Sequence, residues 1–97
     1  MIDFNRIVGF QWDRGNARKS ADKHGVGQFE AEQVFLNEPL LILNDVKHGQ
    51  SELRFHALGI TALGRRLHVT FTLREENTKI RIISARNLHR KERAYYE

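Results

Sequence analysis

Arg54 to Arg86 reads RFHALGITALGRRLHVTFTLREENTKIRIISAR, three apolar segments separated by two short turns. In the middle segment Leu67, Val69, Phe71 and Leu73 alternate with Arg66, His68, Thr70, Thr72 and Arg74. A period of two marks a half-buried strand, because successive side chains of a strand point to opposite faces. Ile80 and Ile82 continue the apolar set in the third segment, with Lys79 and Arg81 opposite. Phe55 and Ala57 begin it in the first, with Arg54 and His56 opposite, although Leu58 and Ile60 interrupt that polar face. Turns are expected around Leu63 and Gly64 and around Glu75 to Thr78, so the stretch predicts an antiparallel meander with one basic, hydroxyl- and imidazole-bearing face. By the same alternation Ser84 falls with the core-facing isoleucines.

Upstream, Ile7 to Trp12 suggests a strand or an extended lead-in, and Asp13 stands where a helix N-cap belongs. A polar helix is expected from Arg14 to His24, with Ala17 and Ala21 as its thin apolar face and Gly25 as the residue that ends it at positive φ. A second helix is expected from Gln28 to Leu36, with Phe29, Ala31, Val34 and Phe35 gathered on one side. It stops before Pro39, since the residue ahead of a proline is driven out of the helical region. An apolar strand from Leu40 to Leu43 and a polar loop from Asn44 to Ser51 follow. Asn87 to Tyr96 closes the sequence as a basic helix, with Leu88 and Tyr95 seven apart on its narrow apolar side. Together these elements predict one α+β domain over residues 1–97, an antiparallel sheet of about four strands with two N-terminal helices and one C-terminal helix.

Ninety-seven residues allow one modest core, burying roughly two-thirds of the surface that the unfolded chain exposes. With no cysteine, neither a disulfide framework nor a thiolate zinc site supplements it. The opening MIDFNRIVGFQWD lacks the apolar run of a signal peptide, and no stretch approaches the roughly 20 apolar residues of a membrane span. A cytoplasmic protein is therefore expected. Sixteen Lys and Arg against twelve Asp and Glu give a net charge of +4, which favours phosphate polymers or an acidic protein as partner.

The fragments WDRGNARKSADKHGV (12–26), EAEQVFLNEPLL (30–41), DVKHGQ (45–50), RFHALG (54–59), FTLR (71–74) and RIISARN (81–87), with ER and YYE near the end, resemble the BrnT family in the same order. BrnT is the toxin half of a bacterial toxin–antitoxin pair. The resemblance implies a RelE-like microbial ribonuclease fold, with helices packed to one side of an antiparallel sheet, and an activity that cleaves RNA. It further implies a partner similar to BrnA, a DNA-binding antitoxin that occupies the toxin and links it to operator DNA. Many relatives carry Ser or Thr where this chain has Gly27, and proline rather than Gln28; losing a capping side chain to glycine costs only about a few tenths of a kcal/mol.

Metal-independent RNA cleavage needs a base near the 2′-hydroxyl, an acid near the leaving 5′-oxygen, and cations where charge grows on the phosphate. His56 is the first candidate for acid or base, since imidazole takes either form near neutral pH. Arg54 and Arg81 join it as catalytic candidates, because a guanidinium offers forked donors to two phosphate oxygens and stays charged. Arg74, Thr72, Arg86, Lys23 and His48 are candidates for RNA contacts. Each has a plainer reading: a hydrogen-bonded strand histidine for His56, a salt-bridged sheet face for the arginines, packing for Thr72, and helix capping for Lys23 and His24. His68 shares the polar side by alternation but lies outside the recognised fragments. Zinc is set aside, because no H-x-x-x-H pair and no Cys/His spacing is present, and no cofactor is expected. Two non-enzymatic readings compete: a basic nucleic-acid-binding module, and an interaction protein whose C-terminal helix docks on an acidic partner.

Overall fold

The computed structural model describes residues 2–45 and 52–96. Its elements are β1 (Gly9–Trp12), α1 (Arg14–His24), α2 (Gln28–Gln33), β2 (Leu41–Asn44), β3 (Arg54–Ile60), β4 (Arg66–Arg74), β5 (Lys79–Asn87) and α3 (Arg90–Tyr96), with 3-10 turns at Phe4–Arg6 and Val34–Leu36. The meander is present: β3 pairs with β4 and β4 with β5, all antiparallel. The second turn holds Glu75, Glu76 and Asn77 at positive φ, and Gly64 takes φ 88° in the first.

The sheet corrects the expectation of about four antiparallel strands. Among the described residues it has five, in the order β1-β5-β4-β3-β2, and β1 runs parallel to β5, pairing Gly9 to Trp12 with Lys79 to Ile82. Parallel pairing requires a long connection between partners, and here everything from α1 to β4 lies between them. Pairing with β1 ends at Ile82; beyond it, the Ala85 amide donates to the buried Ser20 hydroxyl of α1 at 3.1 Å. Ser20, rather than the exposed Ala21, is thus what α1 buries.

α1 begins and ends where expected. Asp13 accepts hydrogen bonds from the Gly15 and Asn16 amides, and Gly25 closes the helix at φ 64°. Past Gly27, Glu30 reaches back to accept the Gly27 amide at 3.2 Å, supplying the half of a capping box that needs no hydroxyl. The second helix tightens into a 3-10 turn at Val34; Ala31 and Val34 are buried and Phe35 packs on the core, while Phe29, about 200° around α2 from Ala31, is 79% exposed. Phe29 therefore stands outside the apolar face where periodicity placed it.

The core lies between one sheet face and α1 and α2, built from Val26, Ala31, Val34, Ala57, Leu67, Val69, Phe71, Ile80, Ile82 and Ala85. Phe71 is its centre, edge-on to Phe35 at 5.0 Å and stacked on Phe55 at 5.4 Å. Ala85 rather than Ser84 faces this core, because a bulge between Thr70 and Phe71 pairs Thr70 with Ser84 but Phe71 with Ile82. The extra residue, Ile83, inverts the alternation after it. A further correction concerns the helices: α1 and α2 cover the core face, whereas α3 lies on the opposite face, where Glu92 reaches His68 and Arg86. α3 also starts later than expected, β5 continuing to Asn87 and Leu88 being buried ahead of the helix. Among the described residues no helix is long and apolar enough to cross a membrane.

Candidate active site

On the face away from the core, the polar members of the alternation form rows across the strands. One row is Gln11, Arg81, Thr72 and Arg54; the next is Ser84, Thr70, His56 and Leu43; the third is Arg86, His68, Leu58 and Leu41. Arg81 and Arg86 are five apart, a spacing that strict alternation would split between the two faces, and the bulge at Ile83 puts them on one. α3 crosses at the third row. It brings Glu92 onto Arg86 and His68 and ends with the Tyr96 hydroxyl donating to the Pro39 carbonyl at 2.6 Å. Leu58, in that same row, is fully buried, which accounts for an apolar residue on an otherwise polar face.

Two histidines meet where the second and third rows adjoin. His56 Nδ1 lies 2.9 Å from His68 Nε2 and 3.0 Å from the Thr70 hydroxyl. The other nitrogen of His56, Nε2, is 3.1 Å from the Asp45 carboxylate just past β2. His68 Nδ1 donates to Glu92 Oε2 at 2.6 Å, and Arg86 holds both oxygens of Glu92 at 2.8 and 2.9 Å. The result is a line, Asp45, His56, His68 and Glu92, closed by Arg86, in which the two carboxylates accept and the imidazoles lie between them. Among the described residues no group of three or more His, Cys, Asp or Glu is arranged to hold a metal ion.

The surroundings set the charge of these groups. Burial pushes the His68 pKa down, and the nearby Arg86 guanidinium and His56 push the same way; the hydrogen bond and charge of Glu92 oppose them without prevailing. For Glu92, burial disfavours the carboxylate, but hydrogen bonds from Arg86, the His89 amide and His68 outweigh it and hold the pKa at about 2. Neutral His68 beside ionised Glu92 is therefore the resting pair.

The predicted site residues divide into three groups. Arg54, His56, Thr72, Arg81 and Arg86 share the outer face, and Arg74 stands at its rim, 3.0 Å from Glu52. Arg81 lies 3.6 Å from Asp13, and the Arg54 Nε is buried without a hydrogen-bond partner. Thr72 departs from the accessible position that alternation suggested: it is 2% exposed, and its hydroxyl donates to the Leu53 carbonyl at 2.5 Å. Lys23 is exposed on α1, across the sheet from His56. His48 lies outside the described residues. Sequence reasoning did not select Asp45, His68 or Glu92. Alternation had already placed His68 beside His56, but no local pattern could show that Asp45 and Glu92 converge on that pair from a loop and a helix.

No curated protein matches the chain. Among solved structures, the crystal structure of the Brucella abortus ribonuclease toxin BrnT matches with a TM-score of 0.65 at 18% sequence identity, covering 86% of this chain and 99% of that one. The match shows a shared fold, that of a small α+β protein. A family model described as the ribonuclease toxin BrnT of type II toxin–antitoxin systems matches residues 12–92. The chain belongs to this family of ribonuclease toxins, which act on RNA and are paired with an antitoxin protein.

Proposed function

We propose that this toxin cleaves RNA by metal-independent acid–base transesterification on the outer sheet face, with His56 moving the proton and Arg54 and Arg81 receiving the scissile phosphate. The ribose 2′-oxygen bonds to the adjacent phosphorus as the bond to the 5′-oxygen breaks. The 2′-hydroxyl gives up its proton and the departing 5′-oxygen gains one, leaving a 2′,3′-cyclic phosphate and a 5′-hydroxyl. One observation carries the assignment to His56: it is held through Nδ1 by a second histidine and through Nε2 by a carboxylate, on a face whose neighbouring row holds two arginines. A side chain 23% exposed is reachable, and its partners limit its orientation.

Arg54 and Arg81 flank Thr72 in one row, a spacing suited to guanidinium contacts on one phosphate group as its charge grows in the transition state. Arg74 extends the cationic path to a flanking phosphate. Thr72 and Arg86 act from within, one bracing Leu53 and the other holding Glu92. Lys23 has no part in this reading, being across the sheet.

All 97 residues work as one cytoplasmic toxin domain in this reading. A BrnA-like DNA-binding antitoxin covers the histidine and arginine face, and operator DNA is reached only through that antitoxin.

The test is incubation of folded, antitoxin-free protein with RNA in EDTA. Cleavage to cyclic phosphate ends is expected, and it should be lost in His56→Ala. In Arg81→Ala cleavage should fall while the melting temperature hardly moves, since an exposed ion pair is worth only about 0 to 1 kcal/mol. Undiminished cleavage by both variants would move the site off this face.

A further inference from the structure

Glu92 is the one charged group of the line that the sheet and its loops do not supply. It comes from α3, on the residue next to Lys91 and Arg93, in a helix whose other charges are basic. Four donors converge on its two oxygens: Arg86 Nη1 at 2.8 Å and the His89 amide at 2.9 Å on Oε1, Arg86 Nη2 at 2.9 Å and His68 Nδ1 at 2.6 Å on Oε2. A carboxylate only accepts, so the hydrogen in the last of these bonds belongs to His68 Nδ1.

We propose that Glu92 is a positioning residue for RNA cleavage, holding His68 in the Nδ1–H tautomer so that His68 Nε2 accepts from His56 and the exchangeable proton of His56 is confined to Nε2. This deepens the assignment of His56 and rests on it. His68 Nε2 and His56 Nδ1 are 2.9 Å apart and share one hydrogen.

If that hydrogen sat on His68, with Nδ1 already donating to Glu92, His68 would be an imidazolium. The groups facing it decide against that. Arg86 from β5 lies 3.0 Å from its Nδ1, His56 from β3 is against its Nε2, and Glu92 from α3 is the sole opposing charge among these contacts. Burial, Arg86 and His56 all favour the neutral ring. The shared hydrogen is therefore on His56 Nδ1, and the hydrogen that His56 exchanges is the one on Nε2, which faces the accepting Asp45 carboxylate at 3.1 Å.

Without the carboxylate, His68 is free to carry its single hydrogen on Nε2. It would then donate to His56 Nδ1, and His56 would be left with its own hydrogen on Nε2 and no basic lone pair facing outward. Fixing a tautomer through a second group is how a buried carboxylate serves a catalytic imidazole elsewhere. In this protein a further imidazole stands between them.

The experiment uses the full chain, free of antitoxin and labelled with ¹⁵N-histidine. Long-range ¹H–¹⁵N correlation spectra read the tautomer of each ring without RNA, and initial rates on a short RNA oligonucleotide are measured from pH 5 to 9. The wild type should show His68 as Nδ1–H. In Glu92→Gln the Nε2–H form should appear, kcat should fall at least about tenfold with KM unchanged, and the acidic limb of the pH–rate profile should move. Glu92→Asp, which keeps the carboxylate, should restore the tautomer and part of the rate.

A wild-type His68 in the Nε2–H form overturns the proposal, and that reading needs no variant to fold. So does a Glu92→Gln protein with unchanged tautomer and pH profile. If His56→Ala cleaves RNA as the wild type does, the assignment of His56 falls instead, and with it the catalytic part of the proposal. The two failures are distinguished because one is read from ring nitrogens and the other from product.

Discussion

Arg65, in the turn between β3 and β4, joins three parts of the fold with one side chain. Its guanidinium donates to the Gly25 and His24 carbonyls at 2.9 and 3.2 Å, to Glu30 at 3.0 Å and to Asn87 at 2.8 Å. The carbonyls at the end of α1 are the unsatisfied, negative pole of that helix, so a cation is well placed there. Lys23 and His24 were the expected caps, but the side chain that reaches those carbonyls comes from forty residues away. Arg65→Ala should cost about 1.5–3 kcal/mol, the range for hydrogen bonds to a charged group, read as a lower urea midpoint at unchanged slope. At the same scale, Glu92 and His68 make stability fall with acid. His68 has a pKa below its ordinary 6.5, so the unfolded chain takes up that proton first and stability is lost as pH drops below 6.5. Glu92 adds a second contribution, present in full above 4.5 and lost as pH approaches about 2. In melting curves from pH 7 to 2, Glu92→Gln should lack most of the second stage; a curve parallel to wild type would contradict the ionised Glu92.

At the level of elements, β3 and the 3-10 turn after α2 approach each other closely. Gly59 faces Val34 so tightly that a Cβ would stand 2.8 Å from the Val34 Cβ and 3.3 Å from its carbonyl oxygen. Gly59→Ala should therefore push this turn off the sheet at a cost of about 1–3 kcal/mol, typical of an overpacked core, with the chemical denaturation midpoint as the measure. Much at this scale was legible beforehand. Asp13 and Gly25 bounded α1 because capping depends on a few neighbouring residues, and the alternation in β4 placed its faces without reference to any partner. The bulge at Ile83 was not legible. IRIISAR alternates acceptably in either phase, and only pairing with Thr70 and Phe71 selects the one that turns Ser84 and Arg86 outward. Phe29 misled for a simpler reason: two residues before Ala31, it stands about 200° around α2 from it, on the opposite side of the helix.

Across the whole molecule, one sheet separates two tasks: its inner face packs the core under α1 and α2, and its outer face carries the arginines and histidines under α3. The net charge of +4 acts at this scale as attraction to the RNA backbone. If Arg54, Arg74 and Arg81 each meet a phosphate, the logarithm of the RNA association constant should fall with that of salt at a slope of about −2, and Arg74→Ala should flatten it by about 0.7. Titrations of a non-cleavable 2′-deoxy analogue at several salt concentrations measure both. The sequence by itself determined the α+β class, the extent of α1, the meander and the basic outer face, since periodicity and capping are written in residues close together. The tertiary structure alone decided that β1 lies parallel to β5, that α3 takes the outer face, and that Asp45, His56, His68 and Glu92 stand in one line. Those outcomes depend on which surfaces of distant segments bury one another, and no local pattern encodes that choice.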